Sequence, residues 1–257
     1  MTNPSFSTYD VANIQFTSGT TGMPKAAALT HYNITNTARA GIQQQNSIIQ
    51  GFDKNSIVIN VLPLYHVFSF TQGSVQGAFM GNANIFPSPG FNSGLAIKSI
   101  EKWKGTYLLG TPTMFSDIVN DPIRKEHDVS SLGYAIVGGA PVPPSLVRIS
   151  EKELDLKIAV GYGMTENTCG TFLVPHGSNE DITVNTVGSA MPGLEAKIID
   201  KEENTLNRGE IGEIVTKGFC VYQGYIGDEQ KTKESFTKDG FFKTGDLATM
   251  REDGNLK

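Results

Sequence analysis

Short apolar runs alternate with helix-compatible segments from about residue 11 to about residue 175. Such alternation is typical of strands joined by crossover helices, so it predicts an α/β fold with a mostly parallel sheet flanked by helices. The predicted strands are residues 11–16, 57–61, 83–86, 106–109, 134–137 and 157–160, and the predicted helices are residues 30–45, 71–80, 93–104, 112–120 and 145–154.

The pattern changes after about residue 182. Segments 194–200 and 211–217 are short, alternate apolar with polar residues and are separated by turns, which predicts a small β-rich subdomain. We therefore divide the chain into an α/β part, residues 1–181, and a β-rich part of the same domain, residues 182–257. With 257 residues, 39% of them hydrophobic, the chain can bury a sizeable core.

Charge and composition point to small-molecule partners. The net charge is −5 and no Lys/Arg cluster stands out, which disfavours a nucleic-acid partner. No run approaches the roughly 20 apolar residues of a transmembrane helix. Cys169 and Cys220 are far apart and lack metal-ligand spacing, which favours buried thiols in a reducing, intracellular compartment. The sequence gives no indication of the oligomeric state.

A Ser/Thr/Gly-rich loop that ends in a lysine follows the first predicted strand. Its glycines allow backbone N–H groups to face an anion, its hydroxyls add donors, and Lys25 supplies a positive charge, so the loop is predicted to bind a triphosphate at the carboxyl edge of the sheet. The glycine spacing does not fit the ordinary phosphate-loop pattern, and a surface linker is the alternative. The loop comprises Thr17, Ser18, Gly19, Thr20, Thr21, Gly22, Met23, Pro24 and Lys25.

A second cluster, residues 161–167, follows the strand that ends near Val160 and is predicted to lie at the same carboxyl edge as the first loop. Tyr162, next to Gly163, offers a flat ring for a purine. Thr165 offers a hydroxyl for phosphate, and Glu166 is a candidate oxygen ligand for Mg²⁺. The alternative is a turn followed by a helix cap, with a solvated carboxylate.

Three smaller features are further candidates. Asp246 follows Gly245 and could accept hydrogen bonds from two ribose hydroxyls, or simply mark a turn. His66 lies among apolar and aromatic residues and could line an apolar substrate pocket, or be a core histidine. A run of small residues after a predicted strand could let a ligand ring approach the backbone, or be a plain turn, and this run is Gly138, Gly139, Ala140 and Pro141.

The order of five segments along the chain resembles the adenylate-forming superfamily of acyl-CoA synthetases, luciferases and peptide-synthetase adenylation domains. These segments are residues 17–25, 63–66, 138–141, 162–166 and 244–246. Residues 110–115 and 218–225 further resemble the medium-chain acyl-CoA synthetase branch, and mitochondrial residence is implied only by that resemblance.

The resemblance implies a fatty acyl-CoA synthetase that uses ATP, Mg²⁺ and CoA and forms acyl-AMP before acyl-CoA. It implies catalytic roles for Lys25, Thr165 and Glu166, with Glu166 as the metal ligand and His66 at the acid. The remaining residues of the loop and of residues 138–141, with Tyr162, Gly163, Thr165 and Asp246, would hold the nucleotide.

The family pattern extends beyond this chain on both sides. We expect residues 1–257 to be part of the large N-terminal domain, with the mobile C-terminal domain absent and turnover incomplete. One departure from the family is Ala26, where glycine is usual after Pro-Lys. Two alternatives stay open, namely an aryl or amino-acid adenylating enzyme and a non-catalytic nucleotide-binding fragment.

Overall fold

The computed structural model describes residues 6–17 and 24–257. The strands are β1 (Val11–Thr17), β2 (Lys25–Thr30), β3 (Ile57–Asn60), β4 (Ala83–Ile85), β5 (Tyr107–Gly110), β6 (Tyr134–Gly138), β7 (Lys157–Tyr162), β8 (Phe172–Leu173), β9 (Ser189–Ala190), β10 (Glu195–Ile199), β11 (Ile211–Lys217), β12 (Gly224–Tyr225) and β13 (Phe242–Thr249). The α-helices are α1 (His31–Gln45), α2 (Gln76–Met80), α3 (Ser93–Trp103), α4 (Pro112–Asn120), α5 (Pro144–Leu154), α6 (Glu180–Asn185) and α7 (Glu229–Glu234).

The largest sheet has the order β4-β3-β5-β6-β7-β8-β9. Its first five strands run parallel, and β8 and β9 add an antiparallel edge. Helices α3, α4 and α5 bury Ile97, Phe115 and Val147 against one face of this sheet, and α1 packs on the opposite face. The predicted α/β fold with a mostly parallel sheet is therefore confirmed.

Parallel pairing brings the carboxyl ends of β5, β6 and β7 to one edge. Gly138 pairs with Gly161 at the end of β6 and β7, and Gly110 ends β5 beside Val137. Loops that leave these strands therefore start side by side, where open α/β sheets bind ligands.

Two smaller antiparallel sheets accompany the main one. Strands β10, β11 and β13 form the predicted β-rich part, and they include both predicted segments, 194–200 and 211–217. The other sheet has the order β1-β2-β12, and it joins the beginning of the chain to residues 224–225. The division at residue 181 stays a prediction.

The predicted place of the first strand in the parallel sheet was wrong. Strands β1 and β2 form an antiparallel hairpin, with Thr17 paired to Lys25, so the residues that flank the loop belong to the small β1-β2-β12 sheet. The position of residues 18–23 stays a prediction. Strand β2 was not predicted, because Ala26, Ala27 and Ala28 lack both the alternation and the branched side chains typical of strands.

Helix α1 is anchored at its start by a capping box. Thr30 accepts a hydrogen bond from the backbone N–H of Asn33, and the Asn33 side chain accepts from the backbone N–H of Thr30. The amide of Asn33 also donates to the carbonyls of Phe219 and Val221, at 2.7 and 2.9 Å. The cap thus holds the segment that leads into β12.

A π-helix, Phe68–Val75, runs directly into α2. The sequence predicted only a helix over 71–80, because a wide i+5 turn has no signature of its own in the apolar spacing. Such turns are rare and occur frequently at functional sites. None of the helices in residues 6–17 and 24–257 has the length and apolarity needed to cross a bilayer.

Candidate active site

Tyr162 and Asp246 meet between the main sheet and the sheet of β13. The Tyr162 hydroxyl donates to Oδ2 of Asp246 at 2.6 Å. Gly245 has a φ of +79° and donates its N–H to Glu213, at 2.8 Å, which fixes the irregular part of β13 that carries Asp246. Burial, and then the Asp246 carboxylate, raise the pKa of Tyr162 well above its usual value, so the phenol stays protonated and remains a donor.

A second pair of predicted site residues meets at Tyr225. The Tyr225 hydroxyl donates to Oε1 of Glu166 at 2.7 Å, and the Lys25 ammonium lies 5.3 Å from the centroid of the Tyr225 ring. Burial and the neighbouring Glu166 raise the pKa of Tyr225, so its hydroxyl stays protonated as well. The antiparallel pairing of Tyr225 with Ala27 on β2 explains why Lys25, two residues away, reaches the same ring.

The predicted list of site residues omitted Tyr225. It was noted only as part of the resemblance over residues 218–225, since a Gly-Tyr pair carries no chemical signal by itself. Its partner Glu166 is further held by its backbone, whose carbonyl accepts from the N–H of Tyr222 at 2.8 Å. Tyr162, which contacts Asp246, and Glu166, which contacts Tyr225, lie at the two ends of the segment 162–166. This one short segment therefore takes part in both contacts.

Glycines allow the two loops at the end of β6 and β7 to approach closely. A Cβ on Gly138 would lie 2.8 Å from the carbonyl oxygen of Gly161, and one on Gly163 would lie 1.8 Å from that of Cys169. Gly139 has a φ of +81°, which favours glycine. Ala140 and Pro141 follow on the exposed side.

These loops border an open groove with about 1330 Å³ of empty volume. Tyr162 and Asp246 line it together with Gly139, Ala140 and Pro141. Such a groove at the carboxyl edge of a parallel sheet, with small residues on one wall and a carboxylate on another, has the size and chemistry to take a nucleoside.

A second, mostly apolar cavity adjoins the groove, with about 450 Å³ of empty space when the solvent at its mouth is included. His66 stands at its solvent-exposed side, where Nδ1 accepts a hydrogen bond from the N–H of Phe68 at 3.2 Å. Partial burial lowers the pKa of His66, which keeps the ring neutral with its proton on Nε2. The other lining residues are Val67, Phe68, Gln72, Ile136, Gly138, Gly139, Gly161, Tyr162, Gly163, Met164, Cys169, Gly170, Phe172, Leu173 and Met191.

The groove and the cavity share one stretch of wall. Gly139, Gly161, Tyr162 and Gly163 line both of them. Molecules bound on the two sides would therefore approach each other at the Tyr162–Gly163 backbone, and this is the main geometric property of the site.

Several predicted site residues stay predictions. Ser18, Gly19, Thr20, Thr21, Gly22 and Met23 lie outside the described residues. Thr17 ends β1 and Lys25 begins β2, with Pro24 exposed before Lys25. Thr165 opens a short 3₁₀ turn, in which its carbonyl accepts from the N–H of Thr168 at 2.9 Å.

The described residues contain no cluster of three or more His, Cys, Asp or Glu side chains. A site with one carboxylate still fits Mg²⁺, because this ion is usually held by one or two carboxylates together with substrate phosphates and water. Glu166 is the carboxylate that fits this description, since Tyr225 engages only its Oε1.

The parallel sheet, with a nucleoside-sized groove that opens onto an apolar cavity at its edge, fits the adenylate-forming class of proteins. The chain belongs to the family of AMP-binding enzymes, which it matches over residues 2–226. The resemblance inferred from the motifs is thereby confirmed.

Among individual proteins, the chain is similar to the mitochondrial medium-chain acyl-CoA ligase ACSF2 of Bos taurus, with 39% identity over 253 residues. The human ACSF2 protein is 38% identical over the same length. These alignments cover 98% of this chain and 41% of the relatives, so the chain spans less than half of their length.

Two solved structures share the fold. ATP-bound MatB from Rhodopseudomonas palustris superimposes with a TM-score of 0.86 at 29% identity, over 98% of this chain and 48% of that one. A long-chain-fatty-acid–CoA ligase, FadD1, from Archaeoglobus fulgidus gives 0.84 at 30% identity, over 96% of this chain and 50% of that one.

Proposed function

We propose that the protein is an AMP-forming acid–CoA ligase that acts on medium-chain fatty acids. The observation that carries this proposal is the common wall of groove and cavity at Tyr162 and Gly163. It allows a nucleotide phosphate and the carboxylate of an apolar acid to meet. The similarity to ACSF2 supports the medium-chain assignment and a mitochondrial location.

The first step joins acid and nucleotide. A carboxylate oxygen attacks the α-phosphorus of ATP, the bond from that phosphorus to the bridging oxygen breaks, and pyrophosphate leaves. The acid is already ionised at neutral pH, so no general base is required, and catalysis depends on positioning and on charge stabilisation. Lys25 would neutralise the phosphates, Thr165 would donate to them, and Asp246 would hold the ribose.

The metal ion would supply further charge neutralisation on the phosphates, and Glu166 is the residue proposed to hold it. Tyr225 orients Glu166 through Oε1 and leaves Oε2 available. Both the ammonium of Lys25 and the carboxylate of Glu166 border the Tyr225 ring, so one aromatic side chain sets the spacing of the two charged groups.

In the second step the sulfur of CoA attacks the acyl carbonyl carbon and AMP leaves with the bonding electrons. The CoA thiol loses its proton to solvent and a thioester forms. Neither Cys169 nor Cys220 is proposed to take part, because burial raises the pKa of both thiols.

The test is carboxylate-dependent ATP–pyrophosphate exchange by the full-length protein, with a panel of aliphatic, aromatic and amino acids. We expect the fastest exchange with aliphatic acids of medium length. Preference for an aromatic or amino acid would support the alternative adenylating enzymes. ATP binding by calorimetry with no exchange for any acid would favour the non-catalytic alternative.

A further inference from the structure

Five buried polar side chains form one hydrogen-bonded network beside the apolar cavity. Gln45, Gln72, Gln76, Tyr107 and His176 come from five separate elements or loops, and each exposes 4% or less of its surface. Only Gln72 also lines the cavity. Buried polar groups are costly unless they are paired, so the pairing within this network fixes the orientation of each member.

The hydrogen bonds of this network all run from donor to acceptor in one direction, and the first donor is His176. The Tyr107 hydroxyl lies 3.0 Å from Oε1 of Gln45, to which it donates, and 2.7 Å from Nε2 of His176. Because a hydroxyl has one proton, His176 must donate from Nε2. Burial lowers the pKa of His176 to about 4, so its ring is neutral and Nδ1 carries no proton, in agreement with the absence of any partner for Nδ1 among the described residues.

The same direction continues to Gln72. Nε2 of Gln45 donates to Oε1 of Gln76 at 3.0 Å and to Oε1 of Gln72 at 3.3 Å. The amide of Gln76 also donates to Oε1 of Gln72. Two donors therefore face the Gln72 carbonyl. If the Gln72 amide were flipped, its NH₂ group would face these two donors. Nε2 of Gln72 therefore points away from Gln45 and Gln76.

That Nε2 donor has no nitrogen or oxygen acceptor in residues 6–17 and 24–257. Its neighbour is the thiol of Cys169, and sulfur is a weak acceptor. Gly170 leaves room beside it, since a Cβ there would lie 3.1 Å from Nε2 of Gln72 and 2.6 Å from the Met191 side chain. Other parts of the cavity wall are apolar, as at Phe68 and Ile136.

An oriented donor in an apolar wall is unfavourable unless the ligand brings an acceptor. We propose that the cavity prefers aliphatic acids that carry an oxygen acceptor, a hydroxyl or an oxo group, on the chain, and that Nε2 of Gln72 binds this oxygen. The proposal rests on the proposed function, because it refines the substrate class of the same site. Gln72 is then a specificity-determining residue.

The test compares octanoate with a series of octanoates that carry one hydroxyl at successive carbons, by ATP–pyrophosphate exchange in the full-length protein. We expect at least one hydroxy acid to exceed octanoate about 3- to 10-fold in kcat/KM, the scale of one hydrogen bond. Gln72→Met keeps the side-chain length, removes the donor and should abolish the advantage. Met191→Leu changes the same wall without touching the amide and should preserve it.

Two results would overturn the proposal while leaving the ligase assignment intact. One is that octanoate equals or exceeds every hydroxy acid in the unaltered protein, and the other is that the advantage persists in Gln72→Met. Exchange with no aliphatic acid at all would instead refute the proposed function and this refinement with it. If Gln72→Met does not fold, Gln72→Asn withdraws the donor by one methylene and should reduce the preference.

Discussion

The hydroxyl of Tyr162 donates a 2.6 Å hydrogen bond to Oδ2 of Asp246, which lies 84 positions later in the chain. One residue ends a strand of the parallel sheet, and the other lies in a strand of the C-terminal antiparallel sheet. The contact closes one side of the groove and orients the carboxylate that is proposed to hold the ribose.

Removal of that carboxylate should weaken nucleotide binding through the ribose. We expect Asp246→Ala to lower the affinity for AMP about 10- to 100-fold, the scale of hydrogen bonds to a charged acceptor. The affinity for 2′,3′-dideoxy-AMP should change little. Calorimetric titration measures both, with Asp117→Ala as the control, because Asp117 is exposed and lines neither groove nor cavity. Equal losses for the two nucleotides would exclude ribose recognition.

The two charged residues at Tyr225 should control the first chemical step. In the full-length protein, Lys25→Ala or Glu166→Gln should lower carboxylate-dependent ATP–pyrophosphate exchange by about 10- to 1000-fold, because each removes charge stabilisation of the departing pyrophosphate. Lys102→Ala is the matched control, since Lys102 lies over Trp103 and lines neither groove nor cavity. Unchanged exchange would remove the altered residue from the site.

The close approach at Gly163 should make that position intolerant of a side chain. A Cβ there would lie 1.8 Å from the backbone oxygen of Cys169, so Gly163→Ala must displace one of the two backbones. We expect a loss of about 2–3 kcal/mol in the free energy of unfolding, or roughly 5–10 °C in Tm. Gly133→Ala has open space around the new Cβ and should leave Tm nearly unchanged. Similar Tm values for both variants would contradict the packing.

Stability should fall as the pH drops from about 6.5 to about 4 because of His176. Burial lowers the pKa of His176 to about 4, so between the two pH values the unfolded state binds a proton that the folded state does not. At pH 4.5 this linkage amounts to about 2–3 kcal/mol. Urea unfolding at pH 7 and pH 4.5 should show a smaller decrease for His176→Gln than for the unaltered protein. An identical decrease would mean that His176 does not contribute.

The parallel sheet could be predicted from the sequence because its strands are buried on both faces and therefore appear as short apolar runs. All five parallel strands were predicted, as were α1, α3, α4 and α5. Strand β2 was missed because its alanines pack in a small antiparallel sheet, where β12 supplies the pairing through Gly224 with Ala28 and Tyr225 with Ala27, 196 and 198 positions away. Strand β1 was assigned to the parallel sheet for the same reason.

Sequence by itself determined which chemical groups are present and in what order, because glycine spacing, hydroxyls, a lysine and carboxylates are local properties of the chain. Tertiary structure alone decided their neighbours. Hydrogen bonds from Tyr162 to Asp246 and from Tyr225 to Glu166 join residues 84 and 59 positions apart. The orientation of Gln72 depends on a network whose members come together only when the sheet and helices have packed. Such contacts follow from strand pairing and close packing, which no local pattern encodes.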